Sequence, residues 1–205
     1  MPVETLVVGK LNTDCYLFYE ERFRHAFIID PGDDSEYIIN RIRDLDLKPQ
    51  AILATHGHFD HILAVTALKL AFGIPFYLHI KDEKILERTQ KTAKFYIGLK
   101  VDPPPKVDYW LKQGQKLISA NLTLKVLAAP GHTQGGVSFY SEKENLVFVG
   151  DTLFDHGVHG RTDLTGGNLK KIKQSIKKIL SLPEKTIIYP GHGKITTVKN
   201  EKIFY

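Results

Sequence analysis

The chain has 205 residues, 42% of them hydrophobic and 25% charged, with one cysteine and nine histidines. This composition excludes a disordered or fibrous chain, no apolar run approaches the ~20 residues that cross a bilayer, and a single cysteine excludes an internal disulfide. The formal charge of +5 raises nucleic acid as a partner, but the densest lysines lie on one face of a helical pattern, where a solvated surface accounts for them.

One domain over residues 1–205 is expected, long enough to bury a core without covalent staples. The amino terminus carries Glu4 where an export signal is basic and has no long apolar segment after it, so a cytoplasmic protein is expected. Short apolar runs recur along the chain: ETLVV, CYLFYE, HAFIID, AILAT, PFYLH, LTLKVLAA, NLVFVG and TIIYP. Cys15 falls inside the second and reads as a small core hydrophobe. Helical patterns stand between the runs at SEYIINRIRDLDL, HILAVTALKLAFG and LKKIKQSIKKILSL, with Ser35 as an N-cap for the first and Gly73 and Pro183 as stops for the others. In the last of these, Leu169, Ile172, Ile176, Ile179 and Leu180 form the apolar stripe and the lysines the opposite face. Strands alternating with helices predict sheet covered by helix, α/β or α+β. Residues 84–110 have weak periodicity and three prolines at 103–105, which suggests a helical piece and a rigid extended connection forming a flap over a cleft. LAAPGH and IIYPGH echo each other, as a duplicated half-fold would make them do.

Metal-capable side chains gather just beyond the strand runs: His56, His58, Asp60 and His61 after AILAT, then His132, Asp151 and His192. Strand ends in such sheets commonly share one edge, so all seven can converge. Imidazole and carboxylate without thiolate suit zinc foremost, with iron or manganese as alternatives. Five histidines and two aspartates exceed what one catalytic metal requires and suit two metals ~3.5–4 Å apart, between which a hydroxide can act as nucleophile. Taken singly, Asp60 also reads as a helix N-cap, His61 as a first-turn residue and Asp151 as a turn former. An ordered set of seven argues against coincidence. His25 and His79 read as structural; His156 and His159, in the loop after Asp151, read equally as cleft or exposed residues.

The series HxHxDH (56–61), APGHT, GDT and YPGHG, with IIDPG ending at Gly32, resembles the metallo-β-lactamase-fold hydrolases over nearly the whole chain. The resemblance implies an αββα sandwich. It also implies two divalent metal ions, with His56, His58 and His132 on one, Asp60, His61 and His192 on the other, and Asp151 between them. Asp60 and Asp151 are then the catalytic carboxylates, and Asp30 and Asp163 are candidates to orient the histidines from behind. Arg161 is expected to pair with Asp163 rather than with substrate.

Within that superfamily, APGHTQGGVSFY, GDTLF and GRTDLTGG most resemble the glyoxalase II-like group. This implies a hydrolase of thioesters of the S-lactoylglutathione type, a small-molecule acyl substrate and no nucleic-acid or membrane partner. The full-length enzymes carry a helical C-terminal extension that contacts glutathione and a tyrosine close after the last metal histidine. This chain reads HGKITT there, so the resemblance is to a short form. The commonest β-lactamase pattern, HxHxDR with cysteine in place of Asp151, is not matched, and antibiotic hydrolysis is not expected. A single-iron persulfide dioxygenase and an acyl-homoserine lactonase share these motifs and stand as alternatives. Oligomeric state is open.

Overall fold

The computed structural model describes residues 2–205. Its first sheet holds β1 (Val3–Val8), β2 (Thr13–Tyr19), β3 (His25–Ile29), β4 (Lys48–Leu53), β5 (Phe76–Leu78) and β6 (Tyr109–Trp110), side by side in chain order. The second holds β7 (Lys116–Ser119), β8 (Leu122–Ala128), β9 (Val137–Ser141), β10 (Leu146–Gly150), β11 (Ile187–Pro190) and β12 (Thr196–Thr197), again in order. Helices α1 (Ser35–Asp44), α2 (Val65–Phe72), α3 (Glu83–Leu86) and α4 (Thr89–Ile97) precede the second sheet in the chain, and α5 (Leu169–Leu180) and α6 (Val198–Glu201) lie within its half.

Strand β2 shows why the layers stack. Every one of its residues is buried, because alternate side chains enter different cores: Cys15 and Leu17 face helices α1 and α2, while Tyr16 and Phe18 face the second sheet. Between the sheets, Phe27, Ile29 and Leu53 meet Val126, Phe139 and Phe148. On the outer face of the second sheet, Val147, Val149 and Ile188 receive Ile172, Ile176 and Ile179 of α5. Helix, sheet, sheet, helix is thus the order of the layers, as the αββα expectation required.

Helix α5 buries its isoleucine stripe and leaves Lys170, Lys171, Lys173, Lys177 and Lys178 exposed, so the basic run is a solvated face; Leu169, at the first turn, is half exposed. Gly73 ends α2 in the left-handed conformation at φ 65°. The expected cap of α1 is corrected: Asp34 takes that position at φ 50° and turns its carboxylate to the N–H of Gly9, while Ser35 is already helical. Asp60 also caps no helix, since α2 begins only at Val65. The repeated PGH motif does not mark two halves either. Both copies lie in the second sheet, after β8 and after β11.

Strand direction positions the site. Strands β3 to β6 are parallel, and in the second sheet β8, β10 and β11 share one direction, with β7, β9 and β12 running against them. Parallel strands present their C-terminal ends on one side, which is where the motif loops emerge.

Candidate metal centre and substrate cleft

The THGHFDH loop leaves β4 beside the end of β3. There Asp30, held at φ 51°, accepts from the Thr55 N–H at 2.7 Å and the Thr55 hydroxyl at 2.7 Å. That hydroxyl has spent its proton on Asp30 and therefore accepts from Nδ1 of His56, 3.1 Å away. His132 follows β8 and donates from Nδ1 to the carbonyl of Arg161 at 2.8 Å, and His192 follows β11 and donates from Nδ1 to the carbonyl of Asn12 at 3.2 Å. A carbonyl can only accept, so the outward nitrogen of each ring carries the proton and Nε2 presents a lone pair inward. His58 is turned the other way, its Nδ1 lying 2.8 Å from Nε2 of His132.

All seven residues come together. Ligand atoms of His56, His58 and His132 lie within 4.8 Å of one another, and so do those of Asp60, His61 and His192. His61 Nε2 is 3.7 Å from Asp60 Oδ2, and His192 Nε2 is 3.5 Å from the same oxygen. Asp151 spans the two groups, Oδ1 standing 3.4 Å from His61 Nε2 and 3.7 Å from His192 Nε2 while Oδ2 stands 3.5 Å from His132 Nε2. Glycine is required beside it: a Cβ on Gly191 would lie 2.2 Å from Asp151 Oδ1 and 2.8 Å from the His61 ring.

Hydrogen bonding inside the protein leaves this cluster incomplete. Nε2 of His56, both nitrogens of His61 and Oδ1 of Asp151 are buried without a hydrogen-bond partner; Nδ1 of His61 is 3.1 Å from Asp30 Oδ2 but at an angle unsuited to the bond. Unpaired buried polar atoms are costly, and neutral imidazoles with carboxylates are the donor set of zinc, iron and manganese. The residues therefore fit divalent cations.

Electrostatics divides the cluster. Burial, reinforced by neighbouring histidines, pushes His56 and His58 down, the latter to about 4, so both rings are neutral. Burial also opposes charge on His61, yet Asp151, Asp60 and Asp30 outweigh it and push that ring up to about 10. Asp60 is held well below the usual carboxylate range, His61 and His192 prevailing over burial. A field that keeps a proton on His61 also favours a divalent cation, which displaces that proton on binding.

A cleft of about 520 Å³ opens onto the cluster, with apolar walls from Phe59, Ile85, Tyr96, Phe154 and Leu164. The 84–110 segment flanks it: α4 stands over one side, and an extended stretch follows to β6. Arg161 lines the rim but is bound in bidentate fashion to Asp163, at 3.0 and 2.6 Å. The expectation that Asp163 orients a histidine is thus corrected, because its carboxylate is taken on the surface and the carbonyl of Arg161 performs that task for His132. Arg88 also lines the cleft and pairs with no carboxylate among the described residues. His159 lies in the cleft wall, whereas His156 is exposed and contacts Asp155 at 3.0 Å. His25 bonds Ser119 and His79 accepts from the Lys81 N–H, both away from the cluster. Sequence reading missed Arg88, which sits in a stretch without clear periodicity, and Asp82, whose place ahead of a helix resembles an ordinary cap.

Residues 8–192 match the model of the metallo-β-lactamase superfamily. The chain belongs to this superfamily. It is 36% identical over 205 residues to hydroxyacylglutathione hydrolase GloC of Haemophilus influenzae, covering 98% of this chain and 95% of that protein. The crystal structure of TTHA1623 in a di-iron-bound form is similar at a TM-score of 0.89 and 37% identity, over 97% of this chain and 96% of that one. The structure of BLEG-1 B3 metallo-β-lactamase matches at a TM-score of 0.91 and 38% identity, over 100% and 97%. As a superfamily member the chain is a metallohydrolase, and the fold implies a binuclear divalent metal site for which the converging histidines and aspartates are the candidate ligands. Among the described residues no helix is long and apolar enough to cross a membrane.

Proposed function

We propose that this chain is a glyoxalase II-like hydrolase that cleaves thioesters of small acyl groups, with His56, His58 and His132 holding one divalent ion, Asp60, His61 and His192 a second, and Asp151 contacting both. The carrying observation is Asp151, whose two oxygens face the two histidine groups separately. Zinc suits this donor set, and the di-iron neighbour makes iron the alternative. When bound, such ions supply Lewis acidity and acidify water toward neutral pH.

The chain's own residues do the rest. The apolar cleft walls desolvate the acyl and thiol portions and bring the scissile carbonyl over the cluster. Asp60 directs Oδ2 at His61 and His192, leaving Oδ1 to accept a hydrogen bond from the attacking water and so orient it. Arg88 holds an anionic group of the substrate at the α4 side of the cleft. The likeness to GloC supports the thioester; the likeness to BLEG-1 favours a β-lactam as the second reading.

The test is turnover of S-D-lactoylglutathione, a neutral acyl thioester and a β-lactam by protein of determined metal content, before and after chelation. Chelator-sensitive thioester loss is expected, and replacing His58 or Asp151 with alanine is expected to abolish it. Turnover of the β-lactam alone would replace the thioester reading. Oxygen uptake with a persulfide, by protein holding one iron, would replace hydrolysis itself.

A further inference from the structure

The turn between β5 and α4 contains Asp82, which is 0% exposed. An acidic residue ahead of a helix ordinarily caps it, and α3 begins at Glu83, but the Asp82 side chain makes no cap bond. The carboxylate points into the protein instead. Its Oδ2 accepts from the Gly57 N–H at 3.0 Å and from the Thr133 hydroxyl at 2.7 Å, and its Oδ1 accepts from the Gly135 N–H at 2.6 Å. Gly57 separates His56 from His58, and Thr133 directly follows His132.

One carboxylate therefore ties together the two loops that carry the first candidate metal group. The fit is close: a Cβ on Gly135 would stand 2.6 Å from Asp82 Oδ1, and one on Gly57 would stand 3.0 Å from the Asp82 carbonyl. The chemistry requires an acceptor at both oxygens. Asparagine in this place turns an amide N–H toward Gly57 or toward Gly135, both of which can only donate. Burial raises the Asp82 pKa against these three bonds, so the carboxylate is kept where an apolar side chain would avoid that cost.

We propose that Asp82 is a positioning residue of the first metal site. It clamps the His56–His58 loop to the His132 loop, and so keeps Nδ1 of His58 and Nε2 of His132 directed at one point. It acts from the segment that also supplies Ile85, Arg88 and Tyr96 to the cleft, so the substrate wall and the ligand loops share one anchor. The inference rests on the reading of His56, His58 and His132 as metal ligands.

The experiment is a Co2+ titration of metal-free protein followed by visible ligand-field absorption, on wild type, D82N, T133V and the remote core variant I42V, each with its thermal midpoint. Wild type is expected to bind two equivalents. D82N is expected to bind the first about tenfold more weakly, with an altered band shape, and T133V, which removes one of the three bonds, to lose about threefold. I42V is expected to lose thermal stability and keep both the affinity and the spectrum, which separates positioning from general destabilisation. If D82N does not fold, T133V decides on the same criterion. Wild-type binding unchanged in D82N and T133V, or an equal loss in I42V, overturns the clamp alone. Wild type that binds no cobalt overturns the metal reading, and the clamp with it.

Discussion

At the scale of single residues, the outer nitrogen of each histidine decides what the inner one can do. His56, His132 and His192 are locked by Thr55, Arg161 and Asn12, and two of those three partners are backbone carbonyls. Asp30 anchors the Thr55 end of this loop and lies against His61. Replacing Asp30 with Asn retains the shape but removes one acceptor, and changes behind a ligand typically cost 10–100-fold in metal affinity. Because Asp30 stands behind His56 through Thr55 as well as against His61, D30N is expected to weaken metal binding by about that factor at both equivalents, as read by metal titration; unchanged affinity at both would show that Asp30 positions neither ring. A residue remote from the cluster gives a pH-dependent case. Asp108 accepts from Lys69 at 2.5 Å and from the Phe76 N–H at 2.8 Å, and these outweigh burial and hold its carboxyl below the usual value. A lowered pKa in the folded state gives stability that is fully present above the unfolded value near 4 and is lost as pH falls through the folded one. The pair is largely a surface one, worth about 0.5 kcal/mol. The stability difference between wild type and D108N, from urea unfolding, should thus be constant near neutrality and shrink below about pH 4. A difference that grows on acidification would contradict this.

At the scale of elements, α4 is the part of the fold closest to specificity. It is a short helix whose cleft-facing residues recur at helical spacing, Arg88, Thr92 and Tyr96. The Tyr96 ring stacks near Phe59 at 6.2 Å, which carries the wall down to the metal loop. Arg161 is neutralised by Asp163, so Arg88 is the cation in the cleft that remains available to a substrate carboxylate. R88Q is expected to raise KM about tenfold for a thioester carrying a carboxylate, with kcat nearly unchanged, and to leave the isosteric neutral amide unaffected. Equal effects on both substrates would assign Arg88 a structural role. The contrast with α5 is instructive, since that helix carries five lysines and none reaches the site.

At the scale of the whole molecule, three apolar layers carry the fold and the cluster sits at their edge. The core packs without the metals, because Phe18, Phe139, Phe148, Ile172 and Ile176 are buried by other side chains. Metals that bind only the folded chain still add stability, about 4 kcal/mol at a free concentration a thousand times Kd. For a chain of this size each kcal/mol moves Tm by about 2–4 °C. Chelation is therefore expected to lower Tm by about 10 °C while far-UV circular dichroism at 25 °C is retained. Loss of that signal at 25 °C would show instead that the metals hold the fold together.

What the sequence by itself determined was the candidate donor set and its order. HxHxDH, His132, Asp151 and His192 stand at strand ends because a loop leaving a buried strand is short, so each candidate ligand lies only a few residues beyond an apolar run. The amphipathic stripe of α5 and the glycine stop of α2 were legible for the same reason: periodicity and backbone restriction are local properties. The cap of α1, the partner of Asp163 and the task of Asp82 were not legible, because each depends on which loops the two sheets bring face to face. Strand β9 and the short pairs β6 and β12 likewise exist through their neighbours rather than through their own pattern. Tertiary structure alone decided which nitrogen of each histidine points inward, since a tautomer is set by whatever accepts the opposite proton, and for His132 and His192 that acceptor comes from a part of the chain 29 and 180 residues away.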